Sequence, residues 1–329
     1  MWFKRILIAI SLLVLVVLGK DIFFHRNNVL CIDVGHTRIK AGLLPKNPTL
    51  NDLKKAQTYA WPSAPWRQHN LDQLFTRTKE TPLQRLLKTD PEEISLSIYG
   101  PIFDRKIHCT TAKSDLFHEL QATLQKATHA HLTLDCDSTM WAIGAIELLR
   151  LTNQMPRFPC LAITLGTSVG VALIESPKKF SAIEVWILSP PYERLRPIAM
   201  PLGHKEAPQR ILGKKYLDSI AVELQYHLEY THHVYAFKED ICDFIETSFP
   251  DLPKIETVLI GGGFSHLLDS AQMNGRKTIL LTPKKLELWG VSPDIISLLG
   301  CETLSATPAI ATQTFPSQKE FERLMVLRD

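Results

Sequence analysis

The chain has 329 residues, 37 Lys+Arg against 34 Asp+Glu, a formal net charge of +3, and 45% hydrophobic and 22% charged residues. That length suits about two domains with ample core, and the hydrophobic fraction excludes wholesale disorder. No stretch supplies the ~20 apolar residues per span of a polytopic membrane protein, and +3 is too small a charge to point to nucleic acid.

In chain order, Lys4 and Arg5 precede Ile6–Gly19, an apolar run broken only by Ser11, and then Lys20-Asp21-Ile22-Phe23-Phe24. A run of ~10–14 residues is short for a spanning helix and long enough for the core of a signal peptide. No small-x-small cleavage pattern follows. Residues 1–27 therefore read as a hydrophobic segment with three readings open: an uncleaved inner-membrane anchor, a signal peptide and a displaced start codon.

Beyond it the pattern is α/β. Val29–Val34 and Ile39–Leu44 predict strands around a polar turn, and residues 45–92 are polar, with helical spacing in Leu71–Phe75 and Leu83–Leu87. Ile94–Ile98 predicts a strand stopping at Gly100-Pro101, Phe117–Ala127 a helix, Leu132–Leu134 an extended segment and Thr139–Leu151 a helix. After a hinge at Pro156–Pro159, Leu161–Leu165 and Val169–Ile174 repeat the strand–turn–strand arrangement around Gly166-Thr167-Ser168. Leu217–Tyr230 predicts a helix, Val258–Ile260 a strand running into three glycines, and Ser317–Leu327 a closing amphipathic helix. A hairpin with a polar, glycine-containing turn thus opens each half. The six cysteines (Cys31, Cys109, Cys136, Cys160, Cys242, Cys301) are scattered without a CxxC, which fits a reducing compartment rather than a zinc module or a disulfide framework.

Four segments carry chemistry. In Asp33-Val34-Gly35-His36-Thr37-Arg38-Ile39-Lys40, a carboxylate at a strand end precedes a Gly/Thr turn. Such a turn admits phosphate to the backbone, and the carboxylate suits a hard cation. Leu165-Gly166-Thr167-Ser168-Val169-Gly170 offers a second cradle of backbone N–H and hydroxyl groups, and Gly261-Gly262-Gly263 lets backbone approach a flat or phosphorylated ligand. Between them, Leu134-Asp135-Cys136-Asp137-Ser138 ends a strand in two acids and begins a helix. Asp137 or Ser138 there is either a helix N-cap or, in the case of Asp137, a general base for a substrate hydroxyl in phosphoryl transfer. Plainer readings serve elsewhere: His232-His233 a solvated helix end, Lys178-Lys179 and Lys284-Lys285 exposed faces, and Trp61, Trp66 and Trp141 core or rim.

In order and spacing these motifs, with Gly100-Pro101 and Gly203-His204, resemble the ROK family of sugar kinases and repressors in the actin/hexokinase-like ATPase superfamily, from about Val29 to about Leu299. No helix-turn-helix precedes residue 29, so the resemblance is to the kinase branch. It implies an α/β fold of two actin-like (ribonuclease H-like) ATPase domains, 28–135 and 136–329, with a cleft between them and a terminal helix packing back on the first. It implies Asp137 as catalytic base, with phosphate turns at Asp33, Gly35, Thr37, Lys40, Gly166, Thr167, Ser168 and Gly170. It also implies an adenosine loop at Gly261, Gly262 and Gly263, sugar contacts at Gly100, Pro101, Cys136, Asp137 and His204, and Asp33 as the magnesium carboxylate. Three departures stand out: Cys136 where the family has Asn, Pro201 where it has Glu, and no cysteine in Lys205–Asp218, which argues against structural zinc. Zinc-less members include polyphosphate-dependent glucokinases, so ATP and polyphosphate both stay open as donor. The expectation is a cytoplasmic kinase acting on a hexose-like sugar with a magnesium nucleotide, without nucleic acid and with a homodimer allowed. The alternative is a nucleotide- or sugar-binding sensor of the same fold with weakened catalysis.

Overall fold

The computed structural model describes residues 28–35, 38–62, 82–103, 106–107, 122, 124, 129–166, 169–183, 238–263, 265–268 and 276–326. The segments predicted at Ile6–Gly19, Leu71–Phe75 and Leu217–Tyr230 lie outside them, as does nearly all of Phe117–Ala127. Among the described residues no helix is long and apolar enough to cross a membrane.

The first sheet is built from β1 (Asn28–Val34), β2 (Arg38–Pro45), β3 (Thr58–Pro62), β4 (Glu93–Ile98) and β7 (His131–Cys136), in the order β3-β2-β1-β4-β7. Two short strands, β5 (Ile102–Phe103) and β6 (Lys106–Ile107), pair with each other. The second sheet contains β8 (Cys160–Leu165), β9 (Val169–Ser176), β10 (Lys179–Ile183), β11 (Thr257–Gly261), β12 (Lys277–Leu281) and β13 (Ala311–Phe315), in the order β12-β11-β8-β9-β10-β13. The two sheets share one pattern. β1 and β8 each pair antiparallel with the next strand and parallel with a later one, β4 or β11, which in turn pairs parallel with β7 or β12. The echo of hairpins in the sequence is thus a repeat of topology.

Strand periodicity sorts the core into layers. Val29 and Cys31 of β1, with Cys160 and Ala162 of β8, face an inner cluster, whereas Leu30, Ile32 and Val34 and Leu161, Ile163 and Leu165 face two outer ones. α1 (Leu50–Lys55) opens with a Thr49/Asp52 capping box, α2 (Pro82–Leu87) covers the outer face of the first sheet through Leu83 and Leu86, and helical residues 238–248 (α4) cover that of the second through Ile241 and Ile245.

The inner layer holds two helices, α3 (Asp137–Leu151) and α6 (Ile295–Ala306). α5 (Pro283–Leu288) precedes α6, and α7 (Gln318–Val326) follows β13. α3 follows the last strand of the first sheet but lies on β8, β9 and β10 of the second, whereas α6, late in the chain, lies on β1, β2 and β4 of the first. They cross at two glycines. A Cβ on Gly144 would lie 1.8 Å from the Ile296 carbonyl oxygen, and one on Gly300 1.8 Å from that of Met140. α3 begins at Asp137, two residues before the predicted Thr139 start, with Cys136 at the N-cap making no side-chain cap bond. Asp137 and Ser138 are therefore helical residues and neither is the N-cap.

The buried Glu302 of α6 accepts the Asn47 N–H at 2.6 Å and the Thr303 hydroxyl at 3.3 Å. Burial, with the charges of Glu147 and Glu93, pushes its carboxyl up to about 7. A carboxyl raised on folding holds its proton between the unfolded value, ~4.3, and the folded one, so its contribution is complete below ~4.3 and is lost as pH rises through about 7. Glu302→Gln, which keeps the acceptor for Asn47, is expected to be more stable than wild type at pH 8 by up to about 3 kcal/mol and near parity at pH 4. Urea unfolding at the two pH values checks this, and a difference that does not grow with pH would contradict it.

Candidate active site

The parallel strands β1, β4 and β7 place Asp33, Ser97 and Asp135 side by side one residue before their carboxyl ends. Ligands of open α/β sheets gather beyond that edge. Asp33 is buried. Its Oδ1 accepts the Ser97 hydroxyl at 2.9 Å, and its Oδ2 lies 3.0 Å from Lys40 Nζ on β2. Burial pulls the Lys40 ammonium down, but the charges of Asp33 and Asp294 more than reverse this and leave its pKa raised. The Gly35 N–H donates to the Arg38 carbonyl at 3.0 Å, and a Cβ on Gly35 would sit 2.9 Å from that oxygen, so the turn is tight. Beyond β4, Gly100 has φ +109 and nothing within 4 Å of its missing Cβ, while Pro101 is buried.

The two acids at the end of β7 have different surroundings. Asp135 takes the Cys136 N–H at 2.7 Å and the Thr312 hydroxyl of β13 at 2.5 Å, a structural clasp between the sheets. Asp137, the first residue of α3, keeps part of its surface open. Its carboxyl is pushed up to about 6, by burial first and the Asp33 charge second, against the Ser138 N–H, the Cys136 thiol and Lys40. Cys136, expected at the sugar, is 2% exposed, and its thiol lies 3.6 Å from Asp137 Oδ1 and 3.2 Å from Ser138 Oγ.

The first turns of α3 also meet the other two glycine motifs. A Cβ on Gly170 would lie 2.4 Å from Thr164 Oγ1 and 3.1 Å from Ser138 Cβ, so the β8–β9 hairpin abuts the helix start. Gly166 follows β8 directly. A Cβ on Gly261 would fall 2.2 Å from the Trp141 ring. Gly262, at φ +96, lies against the Leu165 backbone, where a Cβ would be 2.5 Å from the carbonyl oxygen. Gly263 has open space, with its carbonyl 2.8 Å from His266 Nδ1. One helix start thus lies within electrostatic reach of Asp33 and Lys40 and packs against the Gly170 and Gly261 turns. Thr37, Thr167, Ser168 and His204 lie outside the described residues, as does Pro201. Among the described residues no group of three His, Cys, Asp or Glu is placed to hold a metal ion.

Sequence reasoning missed Ser97, although paired serines in a strand of buried residues are a signal, and it missed Asp294, remote in sequence. Trp141 reads as core and is core, and it also seats Gly261.

No protein-family model and no curated protein matches the chain. Solved structures do. A Listeria monocytogenes protein, with a proposed N-acetylmannosamine kinase activity, matches 84% of this chain and 97% of its own at TM-score 0.50 and 14% identity. This likeness shows the fold. It is the two-sheet actin-like ATPase fold. A ROK family glucokinase of Streptomyces griseus, solved with glucose and AMPPNP, matches 84% of this chain and 98% of its own at TM-score 0.49 and 14% identity. An inorganic polyphosphate/ATP-glucomannokinase of an Arthrobacter strain matches 85% and 98% at TM-score 0.48 and 15% identity. All three of these structures carry the names of sugar kinases.

Proposed function

We propose that the protein transfers a phosphoryl group from a magnesium nucleotide to a hydroxyl of a hexose-like sugar. The observation that carries this reading is Asp137: a partly open carboxyl raised to about 6, at the start of the helix against which the Gly170 and Gly261 turns pack. Phosphoryl transfer asks for positioning, charge stabilisation and one acceptor for the hydroxyl proton. Asp137 takes that proton at a carboxylate oxygen while the Ser138 N–H and the Cys136 thiol hold its orientation. The Gly35 and Gly170 turns cradle phosphate, Gly261–Gly263 approach the nucleoside, and Gly100 leaves room for sugar. For magnesium, Asp33 is a hard oxygen donor in a buried, preorganised place, and the residues fit the ion provided Lys40 gives way. The ion would neutralise charge on the phosphate oxygens. In this reading the halves at 28–135 and 136–329 close over both substrates.

The reading is supported by the fold and by the names of the neighbouring structures. Its test is turnover of a panel of hexoses and N-acetylhexosamines with ATP and, separately, with polyphosphate. Sugar phosphate from either donor is the expected result. Nucleotide binding without transfer to any sugar would favour a sensor. Asp137 must be ionised to act as base, so kcat/KM is expected to rise with pH, to level off above about 6, and to fall roughly tenfold one unit below. An acid limb near 4 would remove Asp137 from that role.

A further inference from the structure

The ion pairs around Asp33 extend beyond the phosphate turn and rest here on Asp33 being the metal-side carboxylate of the proposed site. Lys40 Nζ lies 3.0 Å from Asp33 Oδ2 and 3.8 Å from Asp294 Oδ1, and Arg38 adds a 3.2 Å contact to the same Asp294 oxygen. The other Asp33 oxygen is engaged by Ser97. The Lys40 and Asp33 side chains are 22% and 7% exposed, so water screens their pair poorly. Asp294 occupies the N-cap of α6, yet its carboxylate makes no cap hydrogen bond and meets Lys40 and Arg38 instead. Lys40 is therefore clamped between β1 and the start of α6. Such a clamp is weak ground for stability, because buried ion pairs commonly stabilise no more than apolar packing of the same volume.

We infer that Lys40 is a resident cation that closes Asp33 to a free divalent ion. An ion bound to Asp33 would stand within about 5 Å of the ammonium, where at an effective dielectric of ~20 the repulsion is many times thermal energy. Phosphate oxygens remove the obstacle, because they offer the ammonium another anion. Lysine suits this part: a compact charge with three donors on a flexible stem turns from one oxygen to another more readily than a planar guanidinium. Metal then reaches Asp33 in company with phosphate and not before it.

The test is Mn²⁺ binding to the full chain without nucleotide, followed by the electron paramagnetic resonance signal of the free ion. Wild type is expected to bind weakly, Lys40→Met at least tenfold more tightly, and Lys40→Arg as weakly as wild type. Asp33→Asn added to Lys40→Met is expected to abolish the gain. Circular dichroism melts accompany each variant, and Lys40→Arg keeps the comparison decisive if the methionine variant folds poorly, since a weak Mn²⁺ affinity there is still required. Tight Mn²⁺ binding by wild type, an unchanged affinity in folded Lys40→Met, or a gain in Lys40→Arg would each overturn the inference. A parallel titration with AMPPNP keeps the two readings apart. Nucleotide bound by no form would count against the kinase, while the free-ion comparison would still decide the role of Lys40.

Discussion

Asp137→Asn is expected to lower turnover by roughly 10²–10⁴-fold, the usual worth of a positioned general base, while nucleotide still binds. Asparagine fills the same space and accepts the Ser138 N–H, but its amide cannot take a proton from a hydroxyl. The substitution also removes a carboxylate whose burial and proximity to Asp33 oppose its charge, so the protein should be no less stable. Asp135 is the control. Both of its oxygens are engaged, by the Cys136 N–H and the Thr312 hydroxyl, so Asp135→Asn should weaken the fold rather than the chemistry. Single-turnover kinetics with saturating nucleotide, beside urea unfolding of both variants, separates the two. A parental rate in Asp137→Asn would make Asp137 no more than the first residue of a helix.

The strands bearing the motifs were legible because they are short buried runs ending in glycine or in an acid beside a turn. β1, β4, β8 and β11 lie within two residues of their predicted bounds. α6 was not legible. Buried all round over Ile295–Glu302, it lacks the polar face whose period identifies a helix, although it carries half of the central crossing. β3 and β13 escaped for another reason: both lie at the sheet edges, where Ala311–Phe315 is polar enough to read as loop and Thr58–Pro62 ends in a proline within a proline-punctuated segment. The site divides in the same way. Asp33 and Asp137 announce themselves locally. The pairing of Lys40 with Asp33 and Asp294, and the seating of Gly261 on Trp141, depend on which elements are brought together, and no spacing encodes that.

Gly300→Val is expected to cost more than about 4 kcal/mol or to prevent soluble expression, beyond the ~0.5–3 kcal/mol of most substitutions. The reason is backbone rather than side-chain crowding. The new Cβ would lie 1.8 Å from the Met140 carbonyl oxygen and 3.1 Å from the Gly144 nitrogen, so no rotamer relieves it and α3 and α6 must part by more than 1 Å. Both are pinned from behind: α6 sits on β1, β2 and β4 and α3 on β8, β9 and β10, so parting them opens the inner core. Alanine already carries the offending atom, and Gly300→Ala should show most of the loss. Gly144→Ala meets the Ile296 carbonyl at the same 1.8 Å, and once one substitution has spread the crossing the second has less left to break. The double variant should therefore be destabilised by clearly less than the sum, a coupling expected only of sites in contact. Gly263→Ala, with open space around its Cβ, should unfold near the wild-type urea midpoint. A wild-type midpoint for Gly300→Ala, or strict additivity with Gly144→Ala, would mean that the helix backbones do not touch. Contact there also bears on the site, because the helix that would shift begins with Asp137, packs on Gly170 through Ser138 and seats Gly261 on Trp141. Any partly folded Gly300→Ala should thus lose turnover out of proportion to its loss of stability.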